Sequence, residues 1–431
     1  MKETSDVVAC VIDRGVFFSA AERLARDFKK VYYHRPNGED STTFAQSIKG
    51  DGHPNVEYTD DFWPLKDEID LFVFPDCVDG GLQVFLESQG KAVWGSKRAG
   101  ELERMRGRWI GVCEKYGMPV PETHEVIGLD KLKLFLMQHE GETYFVKISK
   151  YRGDMETWKA EDPEEIANQI DYLRLKFGPF QDLIRFYVQK SIDTEIEGGC
   201  DTYFCAGQFP SKIVLGYEKK AKGYFATWRE RAEMPPEIWA VTEKIAPLLA
   251  GHNYCNLITS EVRVADGKSY WLDPCFRFPS PASEQQLELY GNFGDIVWQG
   301  ANGVFVEPQM TAKFSGGAVI SYTGQRDCWK AVSVPEEVRD SVKLFAYGYH
   351  EGYAVFPPSQ EPESIGWAVA TADTPAGVLD GLKEIKESLA DAPVELHLTE
   401  IADLFTQIES AEEQGIPFSE HAIPDPADVI E

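Results

Sequence analysis

The apolar residues of this chain change their spacing once, near residue 117, and that change restricts the fold more than any other feature. Through the first hundred residues short apolar runs alternate with helical patterns. Val7-Val8-Ala9-Cys10-Val11-Ile12 stops at Asp13-Arg14-Gly15, and Ser19 is placed to cap a helix whose Ala20, Leu24 and Phe28 share a face. Lys30-Val31-Tyr32-Tyr33, Leu71-Phe72-Val73-Phe74-Pro75 and Lys91-Ala92-Val93-Trp94-Gly95 read as further buried strands. Buried runs separated by helices describe a doubly wound parallel sheet, whose ligands collect in loops at the carboxyl ends of its strands. Those loops are Asp13 to Phe18 and Asp76 to Gly81, which makes Asp13, Gly15 and Asp76 candidate substrate-binding residues; Asp and Gly are equally common as plain turn formers. No GxGxxG follows the first strand, which counts against a dinucleotide-dependent dehydrogenase.

Leu102, Met105, Trp109 and Cys113 give Lys97 to Tyr116 a helical period that Gly117, Pro119 and Pro121 end, so a domain boundary falls here. Strands with short helices follow from Glu122 to about Gln309. From Lys313 onward a third segment has a strand at Trp367-Ala368-Val369-Ala370, then Thr374 as cap, Pro375 in the first turn and Val378, Leu382, Ile385 and Leu389 inward. The expected units are 1–97, 98–310 with a nucleotide-covering part at about 122–190, an α+β unit at 311–400, and a tail at 401–431. The last of these carries eight acidic residues, no Lys or Arg, and Pro417, Pro424 and Pro426, and reads as loosely attached.

Three stretches carry groups suited to chemistry. In Thr143-Tyr144-Phe145-Val146-Lys147-Ile148-Ser149-Lys150 the strand period sets Lys147 among aliphatic neighbours, either as a cation aimed at a site or as a solvated edge residue. The polar segment Tyr151 to Thr157 after it, with Gly153 at its centre, suits a mobile lid over phosphates. Asp182 to Val188 is an apolar strand leading through Gln189-Lys190-Ser191-Ile192 to Glu197 and Asp201, a pattern that suits a flat base and a ribose as well as it suits a plain sheet with an acidic turn. Finally, Asp266-Gly267 marks a hairpin between Ser260-Glu261 and Trp271-Leu272-Asp273. A three-residue loop at 265–267 puts Glu261 and Asp273 on one face, diagonally about 7–8 Å apart, able to share magnesium; a two-residue loop puts them on opposite faces. Exposed acids on a surface hairpin remain the alternative.

A formal charge of −28 argues against a broad nucleic-acid surface. No apolar run is long enough to span a bilayer and no signal sequence opens the chain, so a cytoplasmic location is expected. The eight cysteines show no CxxC pair and are expected to be reduced.

In this order the pieces resemble the ATP-grasp superfamily, and within it the glycinamide ribonucleotide synthetases (phosphoribosylamine–glycine ligases), over about residues 7–395. The likeness rests on Gly95-Ser96-Lys97, Gly117-Met118-Pro119-Val120-Pro121, Val146-Lys147, the Glu197 to Asp201 spacing, and Trp271-Leu272-Asp273-Pro274-Cys275-Phe276-Arg277-Phe278, which is similar to the family's Leu-Glu-x-Asn-x-Arg-Phe signature. The resemblance implies an ATP-grasp fold behind a Rossmann-like preATP-grasp domain, with ATP and Mg2+ as cofactors and small-molecule carboxylate and amine substrates joined through an acyl phosphate. It implies that Lys147 and Arg106 contact phosphates, that Gln189, Lys190 and Ile192 line the adenine, and that Glu197 binds ribose. By the same likeness Glu261 and Asp273 hold metal, Arg277 steadies the transferred phosphate, and Asp201 and Arg277 join Asp13, Gly15 and Asp76 toward substrate. Arg106 stands where the family usually has Lys, Gln189 where it has Glu, Asp273 where it has the longer Glu, and Cys275 where it has an Asn metal ligand; the 151–157 loop lacks the usual glycines. A thiol suits a hard cation badly, so these departures fit either a divergent ligase or a nucleotide-binding scaffold without turnover. A homodimer stays open as the commonest assembly.

Overall fold

Val8–Ile12 lies at the centre of a five-stranded parallel sheet, flanked by Lys30–His34 and Leu71–Val73, with Glu57–Tyr58 and Ala92–Trp94 at the edges. The chain winds away from Val8–Ile12 in both directions, so the loops after Val8–Ile12 and Leu71–Val73 flank the topological switch point, as the apolar runs imply. The structure, a computed structural model, describes residues 1–36, 48–149, 157–194, 197–220, 222–325, 327–358 and 364–430. The lid loop expected at Tyr151 to Thr157 therefore lies, except for Thr157, outside the described residues.

The helix after the first strand spans Phe18–Leu24, and Ser19 is buried inside it rather than capping it. Asp13 organises its entry instead. Its Oδ2 accepts from the backbone N–H of Gly15 (2.8 Å) and Phe17 (2.9 Å) and from the Tyr33 hydroxyl (2.8 Å). The helix expected over Lys97 to Tyr116 breaks at Met105, whose extended backbone (φ −121°, ψ 83°) separates Gly100–Arg104 from Arg106–Lys115. The break makes Arg106 the first residue of a new helix.

A four-stranded antiparallel sheet follows, in the order Thr123–Ile127, Arg185–Lys190, Tyr144–Ile148, Thr157–Ala160. One face packs on the helices Leu129–Gln138 and Pro163–Phe177 through Val146, Ile148, Phe186, Val188, Leu132 and Leu173, a core separate from the rest of the molecule. The main core is shared by the parallel sheet and a nine-stranded antiparallel sheet. That larger sheet continues across residue 310, because Gly223–Glu230 pairs with Phe314–Tyr322, which in turn pairs with Ser364–Ala372. The helix Pro375–Ser388 is capped by the Thr374 hydroxyl, which accepts from Gly377 N (3.1 Å), and buries Val378, Leu382, Ile385 and Leu389, as its pattern implies.

The acidic carboxyl end is not a loose tail. Thr399–Glu413 is a helix that buries Ile401, Leu404, Phe405 and Ile408, and Phe418 beyond it is fully buried. Its charges face outward, where Glu400 pairs with Lys219 (2.6 Å) and Lys222 (3.0 Å). The apolar residues recur at helical spacing, and that period outweighs the composition. All eight cysteines are free thiols, with only Cys328 exposed. Among the described residues no helix is long and apolar enough to cross a membrane.

Because the four-stranded sheet owns its core, it should open independently of the main body. Phe186→Ala, at a fully buried position of that core, is expected to cost about 3–5 kcal/mol there. Hydrogen exchange should show faster amides in residues 123–190 with protection in the main core unchanged; uniform loss across both would contradict the separation.

Candidate functional site

Lys147 is on an interior strand, paired through residue 187 with one neighbour and through Thr157 with the other, so it is not an edge residue. Its side chain leaves the sheet on the face opposite the helices and is 4% exposed. There Nζ donates to Asp273 Oδ2 at 2.8 Å. Arg106, delivered by the helix break, pairs with the other oxygen, Oδ1, and its NH2 donates to Thr157 Oγ1 at 3.3 Å. One carboxylate thus holds two buried cations, one on each oxygen. Gly107 makes the approach possible, since a Cβ there would lie 2.1 Å from the Tyr187 hydroxyl. The cluster opens on a cavity of ≈ 270 Å³ lined by Arg106, Trp109, Lys147, Tyr187, Gln189 and Asp273.

The electrostatics follow from this arrangement. Burial raises the Asp273 carboxyl, but Lys147 and Arg106 outweigh it and bring it down to about 2. Lys147 is lowered by its burial, with Arg106 adding to the effect and Asp273 opposing it.

The hairpin reaches its geometry by a route other than the expected three-residue loop. Ala265 pairs with Lys268, leaving a two-residue turn with Asp266 at φ 50° and Gly267 at φ 69°, both left-handed as a type I′ turn requires. That register alone puts Glu261 and Asp273 on opposite faces. A bulge then resets it: Val262 faces Trp271 but Ser260 faces Pro274, so Leu272 and Asp273 together oppose Glu261. The extra residue returns Asp273 to the face of Glu261. Burial first, then Asp273 and Glu197, push Glu261 up to about 7.

Gln189 faces the cavity, buried, with Nε2 donating to Thr123 Oγ1 at 3.2 Å. Lys190, one residue on, faces the other way, where its exposed ammonium pairs with Glu142. Only its backbone remains on the cavity side of the strand. Ile192 is half-buried in the connector that follows. Glu197 does not stand open; its Oε2 accepts from Arg263 Nε (2.9 Å) and NH2 (2.5 Å) across the strand pair. Asp201 is buried away from the cavity, accepting from the hydroxyls of Thr259 and Tyr224, and burial raises it to about 6.

Arg277 sits where the end of the hairpin meets the parallel sheet. Its Nε donates to Glu103 Oε1 (2.8 Å) and lies 3.9 Å from Asp76, and its guanidinium covers the Phe17 ring at 5.8 Å. Phe278 N donates to Pro75 O (2.9 Å), fixing that junction. Asp76 and Arg277 therefore do meet, at the switch point of the parallel sheet. Asp13 serves its own loop, as described above, and the Gly15 carbonyl accepts from Ala346 N (2.7 Å). Glu103, Thr157, Tyr187 and Arg263 were not singled out in the sequence, since their roles depend on pairings far apart in the chain.

Two adjacent carboxylates, Glu261 and Asp273, offer hard oxygen donors on one face, while the third position is the buried Cys275, whose Sγ donates to Arg277 O at 3.8 Å. Among the described residues no group of three or more His, Cys, Asp or Glu is arranged for a metal. Two carboxylates without a third protein ligand fit Mg2+, which keeps waters and takes phosphate oxygens for the rest. The two cations on Asp273 likewise fit a triphosphate.

No family model and no curated protein matches the sequence. Solved structures do. A phosphoribosylamine–glycine ligase from Thermotoga maritima superposes with a TM-score of 0.65 at 16% identity, covering 90% of this chain and 97% of that one. An L-amino acid ligase from Bacillus licheniformis gives 0.60 at 15%, covering 92% and 99%. The biotin carboxylase domain of a Hydrogenobacter thermophilus 2-oxoglutarate carboxylase, solved with MgADP and bicarbonate, gives 0.63 at 12%, covering 96% and 99%. The chain has the ATP-grasp fold that these proteins share.

The raised Glu261 has a consequence for stability. A carboxyl whose folded pKa lies above its ordinary 4.5 stabilises the fold fully below that value and loses the contribution as pH rises through about 7. Glu261→Gln cannot ionise, so its unfolding midpoint should rise relative to the unsubstituted protein across that window. A pH-independent difference would show that burial and the acidic neighbours do not hold the Glu261 proton.

Proposed function

We propose that this protein is an ATP- and Mg2+-dependent carboxylate–amine ligase acting on small molecules, forming an amide through an acyl phosphate with release of ADP and phosphate. The observation that supports this most is the convergence of Lys147 and Arg106, from separate elements, on Asp273 at the edge of a cavity, with Glu261 beside it. The similarity in fold to ligases that differ in substrate points the same way.

In this reading the phosphates take the place of Asp273 at Lys147 and Arg106, and Asp273 and Glu261 would hold the Mg2+. The metal supplies charge neutralisation to the phosphoryl group. Lys147 and Arg106 hold the γ-phosphate while a substrate carboxylate oxygen attacks phosphorus and the bond to ADP breaks. The amine nitrogen then attacks the acyl carbon, the bond from that carbon to the phosphate oxygen breaks with release of inorganic phosphate, and the nitrogen gives up a proton. Arg277, steadied by Glu103, sits between the hairpin and the switch-point loops and orients the acyl phosphate. Gln189 and the backbone at Lys190 and Ile192 border the base, and Glu197, shared with Arg263, the ribose.

A second reading rests on Cys275. With a thiol in place of a third oxygen donor and Asp273 one methylene short, the protein binds nucleotide without turning it over. ADP release separates the two. With ATP, Mg2+ and panels of carboxylic acids and amines, a ligase yields ADP only when both partners are present, and hydroxylamine traps the activated acid as a hydroxamate. Lys147→Met and Arg106→Met should each lower kcat/KM by about 10²–10³-fold. Tight ATP binding with no ADP from any pairing would establish the second reading; no ATP binding would overturn both.

A further inference from the structure

A second pocket, open to solvent, lies away from the Lys147–Asp273 cavity, where the amino-terminal unit meets the carboxyl-terminal one. Backbone pairing builds this seam. Gly50 N donates to Tyr347 O, Tyr349 N to Asp51 O, and Ala346 N to Gly15 O, each at 2.7 Å. A Cβ on Gly52 would lie 2.1 Å from Tyr349 O, so the two backbones touch.

Opposite charges line the pocket. Glu22, from the Phe18–Leu24 helix, accepts from the Tyr347 hydroxyl at 2.7 Å and faces His53 Nε2 at 3.3 Å. His53 Nδ1 accepts from Asn55 N (3.2 Å), which assigns the ring proton to Nε2, toward Glu22. Burial raises Glu22, but His53, Tyr347 and Lys343 outweigh it and keep it low, as a carboxylate. Lys343 itself is engaged by Glu288. Across the pocket Arg339 NH1 donates to the Tyr349 hydroxyl (3.0 Å) and NH2 to Val334 O (3.2 Å), while Nε faces the exposed Glu336 at 3.2 Å. Each terminal nitrogen of a guanidinium carries two hydrogens, so each keeps one to give. Val342 and Leu344 supply an apolar wall between the charges.

A simple anion would be repelled by Glu22 and a simple cation by Arg339. A small molecule bearing both charges answers both, and an apolar substituent fits the aliphatic and tyrosine wall. We propose that this pocket binds a free α-amino acid with an apolar side chain as its zwitterion, its ammonium at Glu22 and its carboxylate at Arg339, at a site distinct from the nucleotide cavity. The site is tied to the amino-terminal loop at both ends. Glu22 lies one turn beyond the helix entry that Asp13 organises, and Ala346, beside Tyr347, holds Gly15.

Isothermal titration of the full chain with L-leucine and L-phenylalanine tests this without nucleotide and independently of any ligase activity. Saturable binding is expected, weakened at least about tenfold for the amino acid amides, which lack the carboxylate, and for the N-acetyl derivatives, which lack the ammonium. Arg339→Gln should weaken it to a similar extent. Val334→Phe, which fills the pocket and leaves its polar contacts in place, should abolish it with the thermal midpoint retained. Arg277→Gln, at the switch-point loops, should leave it unchanged. Absence of binding by both amino acids, indifference to the amide and N-acetyl changes, or loss in Arg277→Gln with retention in Arg339→Gln and Val334→Phe would each overturn the proposal; the last would place the amino acid at the switch-point loops.

Discussion

The charge on Asp273 is the constraint around which the central part of this molecule is arranged. Lys147 and the Arg106 guanidinium are both largely withdrawn from water, and cations so placed need a counter-charge within reach. A single carboxylate provides it, one oxygen to each. The three residues come from a strand with its own core, a helix that starts at a backbone break, and a bulged hairpin of the main sheet. Their ion cluster therefore joins two cores that otherwise pack separately. Removing Asp273 would take the charged hydrogen-bond partner from Lys147 and an ion-pair partner from Arg106, whereas exchanging Asp273 for another anion keeps both contacts.

That exchange explains how a closed cluster can also be a binding site. A polyanion brings more negative charge than a carboxylate, and the carboxylate it displaces is then available to a cation arriving with it. In the proposed reaction, phosphate and metal binding would be coupled by this shared residue, with no need for a preformed metal cage.

The buried parallel strands, the capped Thr374 helix and the hairpin at Asp266-Gly267 were legible because each rests on a local pattern: an apolar run, a cap, a turn dipeptide. The misreadings share a different cause. Asp266-Gly267 announces a hairpin, but its facing residues depend on the bulge at Leu272 and Asp273, which is set by pairing with Glu261 and not by any local signal. Met105 continues a helical period in sequence, yet the helix breaks there, and Arg106, the first residue of the next helix, pairs with Asp273 from another part of the chain. At the carboxyl end, acidic composition suggested looseness while the spacing of Ile401, Leu404, Phe405 and Ile408 specified a packed helix. Composition describes the solvent face of such a helix; periodicity decides whether the other face is buried.

Glu261 and Asp273 are the same kind of group on the same face, and their surroundings drive them apart. Asp273 has two cations and stays ionised down to about 2, while Glu261 has burial and two acidic neighbours and holds its proton up to about 7. Neutral Glu261 lets the pair sit side by side without repulsion in the absence of a cation. In the proposed reaction, with Asp273 away from Lys147 and Arg106, its repulsion with Glu261 would return as Glu261 ionises, and a divalent ion would relieve it. The bulge that sets these two acids on one face thus fixes more than a direction: it sets their separate electrostatics, and in the proposed reaction it would make the occupied form depend on both phosphate and metal.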